Sequence, residues 1–299
     1  MRGAVSPKAQ SASSNVTRAR AALEPDAVRA LLGTPRAVEL MRALGLVTER
    51  GGASPDSHRK LKQIKHFIRL ISPALEDAVV RHEEPRFVDA AAGKGYLGLL
   101  LSELTLRGEG RGRLDAIEAR PELVARVRTI AEEMELPVTV HEGTIIDAPW
   151  PERAHFVMAL HACDTATDEA IVRAVAARAD HIALVPCCQA EVGRLLGSVD
   201  RERAVAPLWG TAWHRREFGA HLTNVIRVLA LRSRGYQVTV TELAGWEHSL
   251  KNELILARRV ARFHEGARRE LEALLAEIPV APWLLGALEA IGDEEVGDD

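Results

Sequence analysis

The chain has 299 residues, 47% of them hydrophobic, which points to a globular protein of one α/β domain with extensions or two small domains. Three cysteines, two of them adjacent, exclude a disulfide framework, and no apolar run approaches the ~18 residues of a membrane span, so a soluble cytoplasmic protein is expected. The formal net charge of −3 is uneven: residues 1–70 hold thirteen Lys and Arg against five Asp and Glu, and the remainder 26 against 37.

A basic module of net +8 thus precedes an acidic body of net −11. That asymmetry fits a polyanionic partner, and equally a basic helix packed on an acidic neighbour. Residues 1–20, rich in Ser, Ala and Arg, read as a disordered tail, and residues 21–80 as a basic helical N-terminal region. Helix is expected over 23–46, with Pro25 near its start and Val28, Leu31 and Leu32 at helical spacing. Gly51, Gly52, Ser54 and Pro55 mark a linker. The next run, DSHRKLKQIKHFIRLI, predicts an amphipathic helix limited by Pro73. Leu61, Ile64, Ile68 and Ile71 form one face and Lys62, Lys65 and Arg69 another. Residues 59–69 are therefore the candidate RNA contact, although a solvated flank of a packed helix explains the same pattern.

RFVDAAAGKGYLGLLLSEL, residues 86–104, runs from a short apolar strand through Asp89 into a glycine loop and out into a helix. Gly93 and Gly95 let the backbone turn tightly, and amide N–H groups at the start of the helix favour a polar or anionic group. Gly93, Gly95 and Gly98 spell G-x-G-x-x-G, with Glu118 twenty residues beyond Gly98, so a dinucleotide fingerprint must be weighed. In a dinucleotide enzyme, however, the glycine turn follows directly on the strand. Here Asp89 and three alanines intervene, giving acid-x-A-x-G-x-G over Asp89, Ala91, Gly93 and Gly95. This resembles the first motif of class I S-adenosylmethionine-dependent methyltransferases, acid-x-G-x-G-x-G, with Ala91 in place of the first glycine. Alanine serves there if φ stays negative.

Strand and helix alternate beyond the loop. RLDAIEA forms a strand ending in Glu118, an acid able to accept from both ribose hydroxyls of an adenosine cofactor; Pro121 to Met134 is a helix; VTVHEG is a strand followed by Thr144 and Asp147. His155 to Leu160 is a strand ending in HACD, Thr167 to Ala177 a helix, and His181 to Val185 a strand ending in PCCQ. GYQVTVTEL and ELILARRV, with no room between them for a crossover helix, should pair antiparallel. Class I methyltransferases finish in such a hairpin. The resemblance implies a Rossmann-like doubly wound α/β sheet over residues 81–260, mainly parallel, with N- and C-terminal helical extensions. Residues 261–299 make the C-terminal one, helical over 262–285, interrupted by Pro279 and Pro282, and ending in an acidic tail.

LHACD at 160–164 and VPCC at 185–188 sit at the ends of neighbouring strands. With AAGKGYLG and EHSLKN they resemble a family of methyltransferase-domain proteins that includes the methyltransferase-like 25 proteins, over residues 58–260. The paired cysteines are also similar to those of tRNA ribose 2′-O-methyltransferases with a Cys-Cys-His-His segment, although Gln189 and Ala190 follow them here. The resemblance implies S-adenosyl-L-methionine as cofactor, held by Asp89, Ala91, Gly93, Gly95, Glu118, Thr144, Leu160 and His161. The acceptor then lies over His161, Cys163 and Asp164 and over Cys187, Cys188 and Gln189. For the thiols three chemistries are open. They can pack the pocket floor; one can attack a base carbon, as in RNA cytosine-5 methyltransferases, with His161 as partner; or His161, Cys163, Cys187 and Cys188 can bind zinc, though H-x-C with adjacent C-C is not a usual zinc spacing. Packing, with His161 and Asp164 orienting substrate or cofactor, is the reading adopted, with no metal.

Overall fold

A computed structural model describes residues 33–48, 52, 54–160, 162, 164–186, 189–243 and 253–292. The expectations for residues 1–32, the GWEHSLKN connection and the acidic end fall outside these residues. So do those for His161, Cys163, Cys187 and Cys188.

Helix α1 (Pro35–Ala43) opens at Thr34, whose hydroxyl accepts from the Ala37 N–H; within the described part of the run 23–46 expected as helix, it starts at Pro35 and stops at Ala43. Ser54 and Pro55, expected as linker, are instead the N-cap and first residue of α2 (Pro55–Arg81), a helix of 27 residues. Pro73 does not end it. Its ring costs one backbone hydrogen bond, but Ile64, Phe67, Ile68, Ile71, Leu75, Ala78 and Val79 form one buried face on both sides of it. Burial along that face outweighs the lost bond.

From Arg86 to Val185 the chain alternates as expected, and the helices between Val185 and Tyr236 come in addition. Strand β1 (Arg86–Asp89) leads to α3 (Tyr96–Leu101), which widens into a π-helical turn (Ser102–Leu106) before α4 (Arg107–Glu109). Then come β2 (Arg113–Glu118), α5 (Pro121–Glu133), β3 (Val138–Glu142), β4 (Phe156–Leu160), α6 (Thr165–Ala176) and β5 (His181–Val185). A short α7 (Glu191–Leu195) and two 3-10 turns precede α8 (Ala212–Ser233). Strands β6 (Tyr236–Glu242) and β7 (Glu253–Arg259) are followed by α9 (Glu265–Glu277) and α10 (Trp283–Ile291). Pro282 caps α10, so the terminal segment is two helices and runs past residue 285.

These strands form one seven-stranded sheet of order β3-β2-β1-β4-β5-β7-β6. Strands β1 to β5 are parallel, and β7 runs antiparallel to both β5 and β6, as the missing crossover helix requires. Alternate residues enter opposite layers. Phe87, Leu114, Phe156 and Met158 join the layer of α1, α2, α3 and α5, while Val88, Ile117, Val157 and Ala159 join that of α6, α8, α9 and α10. Because α1 and α2 bury their apolar faces with β1 and β2, the basic N-terminal region shares the sheet's own core. Strand order reverses between β1 and β4, so their following loops diverge and open a crevice at the carboxyl edge. Among the described residues, no helix is long and apolar enough to cross a membrane.

Candidate cofactor and acceptor site

The loop after β1 is anchored from below. The Ala90 N–H donates to the Met158 carbonyl and the Ala92 N–H to that of Ile117, so the loop spans from β4 to β2. Gly93 and Gly95 take φ of 57° and 73°, the left-handed region open to glycine. At Gly95, the N-cap of α3, a Cβ would also come within 3.0 Å of Val127 on α5. Ala91 keeps out of the left-handed region, which is why alanine can stand there.

Asp89 lies under this loop, fully buried, and accepts from the Ala91 and Gly98 backbone N–H groups. Burial pushes its carboxyl up to about 7; those two bonds pull the other way, and the nearby Glu118 charge adds to the rise. A Cβ on Gly98 would stand 2.8 Å from Asp89 Oδ2. The third glycine of G-x-G-x-x-G is therefore room for this carboxyl group, which accounts for that spacing without a pyrophosphate.

Glu118, at the end of β2, is buried and accepts from the Gly93 N–H at 2.8 Å and the Arg120 N–H at 3.0 Å. The Arg120 side chain adds Nε to Oε1 at 2.7 Å and Nη2 to Oε2 at 3.3 Å. Burial acts to raise the Glu118 pKa, but the bonds and charge of Arg120, with the Gly93 bond, outweigh it and hold the carboxyl below its ordinary value. Beside it begins the loop after β3, where Gly143 donates to the Glu118 carbonyl. Thr144 is exposed there and donates to Asp147 Oδ2 at 2.6 Å. Leu160 ends β4 opposite Val185 of β5. The loops after β1, β2, β3 and β4 thus lie side by side and bring Asp89, Ala91, Gly93, Gly95, Glu118, Thr144 and Leu160 to one edge.

Asp164 is a brace. Its backbone takes φ 49° and ψ −121° at the start of α6, and its Oδ1 accepts from the N–H groups of Ala190 and Glu191 at 2.9 and 3.2 Å. Arg194 pairs with Oδ2 at 3.4 Å. Burial favours the neutral form of Asp164, yet the two backbone bonds and Arg194 hold its pKa below the ordinary value. One carboxylate therefore ties the loop after β4 to the loop after β5. Beneath it, Arg227 of α8 is fully buried, pairing with Asp168 at 2.7 and 2.9 Å and donating to the Asp164 carbonyl at 2.9 Å. Arg227 also donates to Asn224 Oδ1, which accepts from the buried Gln189; Asn224 donates in turn to Glu253 of β7. Gln189 is thus turned into this network.

Sequence reasoning passed over α8, and with it Asn224 and Arg227. A signal was available: an arginine in the apolar run VIRVLAL needs a buried partner. Arg120 was missed as well, although it stands two residues past the strand-end acid. Outside the crevice, the described residues bring His82, His155 and Asp180 together with metal-ligand chemistry, at the amino edge. His155 Nδ1 accepts the Arg86 N–H at 2.9 Å, which leaves the proton of the neutral ring on Nε2, and Arg153 holds Asp180 at 2.6 Å. This group is bonded as a structural cluster.

Residues 59–194 match the model of a family described as a methyltransferase domain. Over that part the chain is similar to this family, and its strand order is that of a Rossmann-like class I fold. No curated protein matches the sequence. Among solved structures the chain is similar to the SAH-bound methyltransferase PaMTH1 of Podospora anserina, at 13% identity over 87% of this chain and 100% of that one, TM-score 0.42. It is also similar to precorrin-6y C5,15-methyltransferase of Geobacter metallireducens GS-15, at 18% identity over 63% and 87%, TM-score 0.35. A third is an rRNA methylase of Streptococcus thermophilus, at 13% identity over 68% and 96%, TM-score 0.37.

Proposed function

We propose that the protein is a cytoplasmic S-adenosylmethionine-dependent methyltransferase of RNA, tRNA or rRNA, from the group that includes the methyltransferase-like 25 proteins. The observation that carries the cofactor is the bond from the Gly93 N–H to Glu118 Oε2, which joins a strand-end ribose acceptor to a left-handed glycine loop. The residues present fit an adenosine cofactor: a strand-end carboxylate for a vicinal diol, and a glycine turn with no Cβ over it. S-adenosylmethionine, when bound, supplies an electrophilic methyl on a sulfonium. The protein then has mainly to align the acceptor, which is the task of the loops braced by Asp164.

The RNA reading rests on the course of α2. Its far end pairs Asp77 with His181 at the amino edge, so its first half lies at the carboxyl edge, where Lys60 sits over the Tyr96 ring and His66 reaches the Glu242 backbone. Arg59, Lys62, Lys65 and Arg69 are exposed along that half, beside the crevice. Phosphates following this row would bring an RNA across the carboxyl edge.

The test incubates the protein with methyl-labelled S-adenosylmethionine and total cellular RNA or protein. Label in RNA is expected, and changing Lys62, Lys65 and Arg69 together to Gln should weaken RNA binding and flatten its salt dependence. Label in protein alone would replace the substrate. Calorimetry that finds NAD bound and S-adenosylmethionine ignored would remove the cofactor assignment.

A further inference from the structure

We propose that Arg120 competes with the cofactor for Glu118 and so sets how tightly the cofactor is held, an inference that rests on the cofactor reading above. A carboxylate offers about four lone-pair positions. Those of Glu118 are all taken: Oε1 accepts from Arg120 N and Nε, and Oε2 from Gly93 N and Arg120 Nη2. Two of the donors are backbone N–H groups, fixed by the glycine loop and by the start of α5. The other two belong to the guanidinium. That side chain is 61% exposed while its partner carboxylate is 7% exposed, so of the two it is the one able to leave.

A ribose with two hydroxyls needs the two positions that the guanidinium holds. The guanidinium also lies toward the loop, since a Cβ built on Gly93 would stand 4.0 Å from Arg120 Nη2. Cofactor binding therefore exchanges two guanidinium bonds for two hydroxyl bonds on an unchanged pair of backbone donors. The exchange keeps Glu118 satisfied throughout, and it makes affinity lower than the same pocket would have without the arginine. Arg120 acts on affinity and on release, away from the methyl group.

Calorimetric binding of S-adenosylhomocysteine tests this. Arg120→Ala should bind it about 1.5- to fivefold more tightly, the range expected for losing one exposed ion pair. Arg120→Lys, which keeps the charge without the fork, should fall between that variant and the parent. Added salt should narrow the gap between parent and Arg120→Ala, because it screens the competing pair. Equal or weaker binding by a folded Arg120→Ala would overturn the inference and make Arg120 a group that orients Glu118. Glu118→Gln reports on the underlying reading separately: it should lose affinity more than tenfold, and unchanged binding there would mean that the ribose is not held at Glu118 at all.

Discussion

The two edges of the sheet both carry dense ionisable clusters, and only one of them has the form of a site. At the amino edge His82 stacks on His155 with ring centroids 3.7 Å apart and bonds Asp180 at 2.8 Å, while His181 bonds Asp77 at 2.7 Å. These partners are side chains or backbone of the protein itself, brought there by packing. At the carboxyl edge Gly93, Gly95 and Asp164 hold left-handed or strained backbone, and Glu118 faces an exposed guanidinium. A polar cluster therefore does not mark a site by its density. The strand order reverses between β1 and β4, and it is at the carboxyl edge beside such a reversal that sheets of this kind take ligands.

The largest effect should come from removing the brace beneath the crevice. Arg227→Ala leaves Asp168 buried without its counter-charge, and a loss of about 3–5 kcal/mol is expected in chemical denaturation. A loss below about 1 kcal/mol would mean that the loops after β4 and β5 are held by something else.

The amino edge should answer to pH. Burial lowers His155 from 6.5 to about 4, with the His82, Arg153 and Arg86 charges acting the same way and Asp180 against them. A depressed pKa gives stability that is complete above the unfolded value and is lost as pH falls through the folded one. The parent should therefore lose stability between pH 6.5 and about 4, by about 1–3 kcal/mol more than His155→Asn. Denaturant midpoints across that window check it, and S-adenosylhomocysteine binding at neutral pH should be unaffected by the same substitution. A variant with the parent's acid profile would show that the cluster is not what limits the fold.

The smallest effect on stability, with the sharper effect on binding, is expected for Gly95→Ala. Left-handed backbone with a Cβ costs about 1–2 kcal/mol, and the contact with Val127 pushes the loop away from its ligand. Thermal unfolding and S-adenosylhomocysteine affinity, measured together, should show affinity falling by more than the stability loss accounts for. Parallel losses would make Gly95 a folding residue only.

Much of the sheet was legible because its strands are short apolar runs between turn residues, and the β6 and β7 pairing because nothing between them could form a crossover. Pro73 misled for a local reason: its effect on one hydrogen bond is visible in the sequence, whereas the buried face continuing past it is a property of the packed layer. The dinucleotide reading of the loop already fails in the sequence, where Asp89 and three alanines separate strand from turn; that Gly98 leaves room for the Asp89 carboxyl group is visible only in the packed loop.

By itself the sequence determined the seven strands and the helices between β1 and β5, the glycine turn and the acid at the end of β2, since each depends on local backbone preference and residue spacing. Tertiary structure alone decided that Asp164 joins the loops after β4 and β5, that Arg227 stands beneath them, and that the basic half of α2 lies beside the crevice. Those outcomes depend on side chains far apart in the chain meeting at one edge, and on burial making an unpartnered charge too costly to leave alone. Spacing carries no record of either.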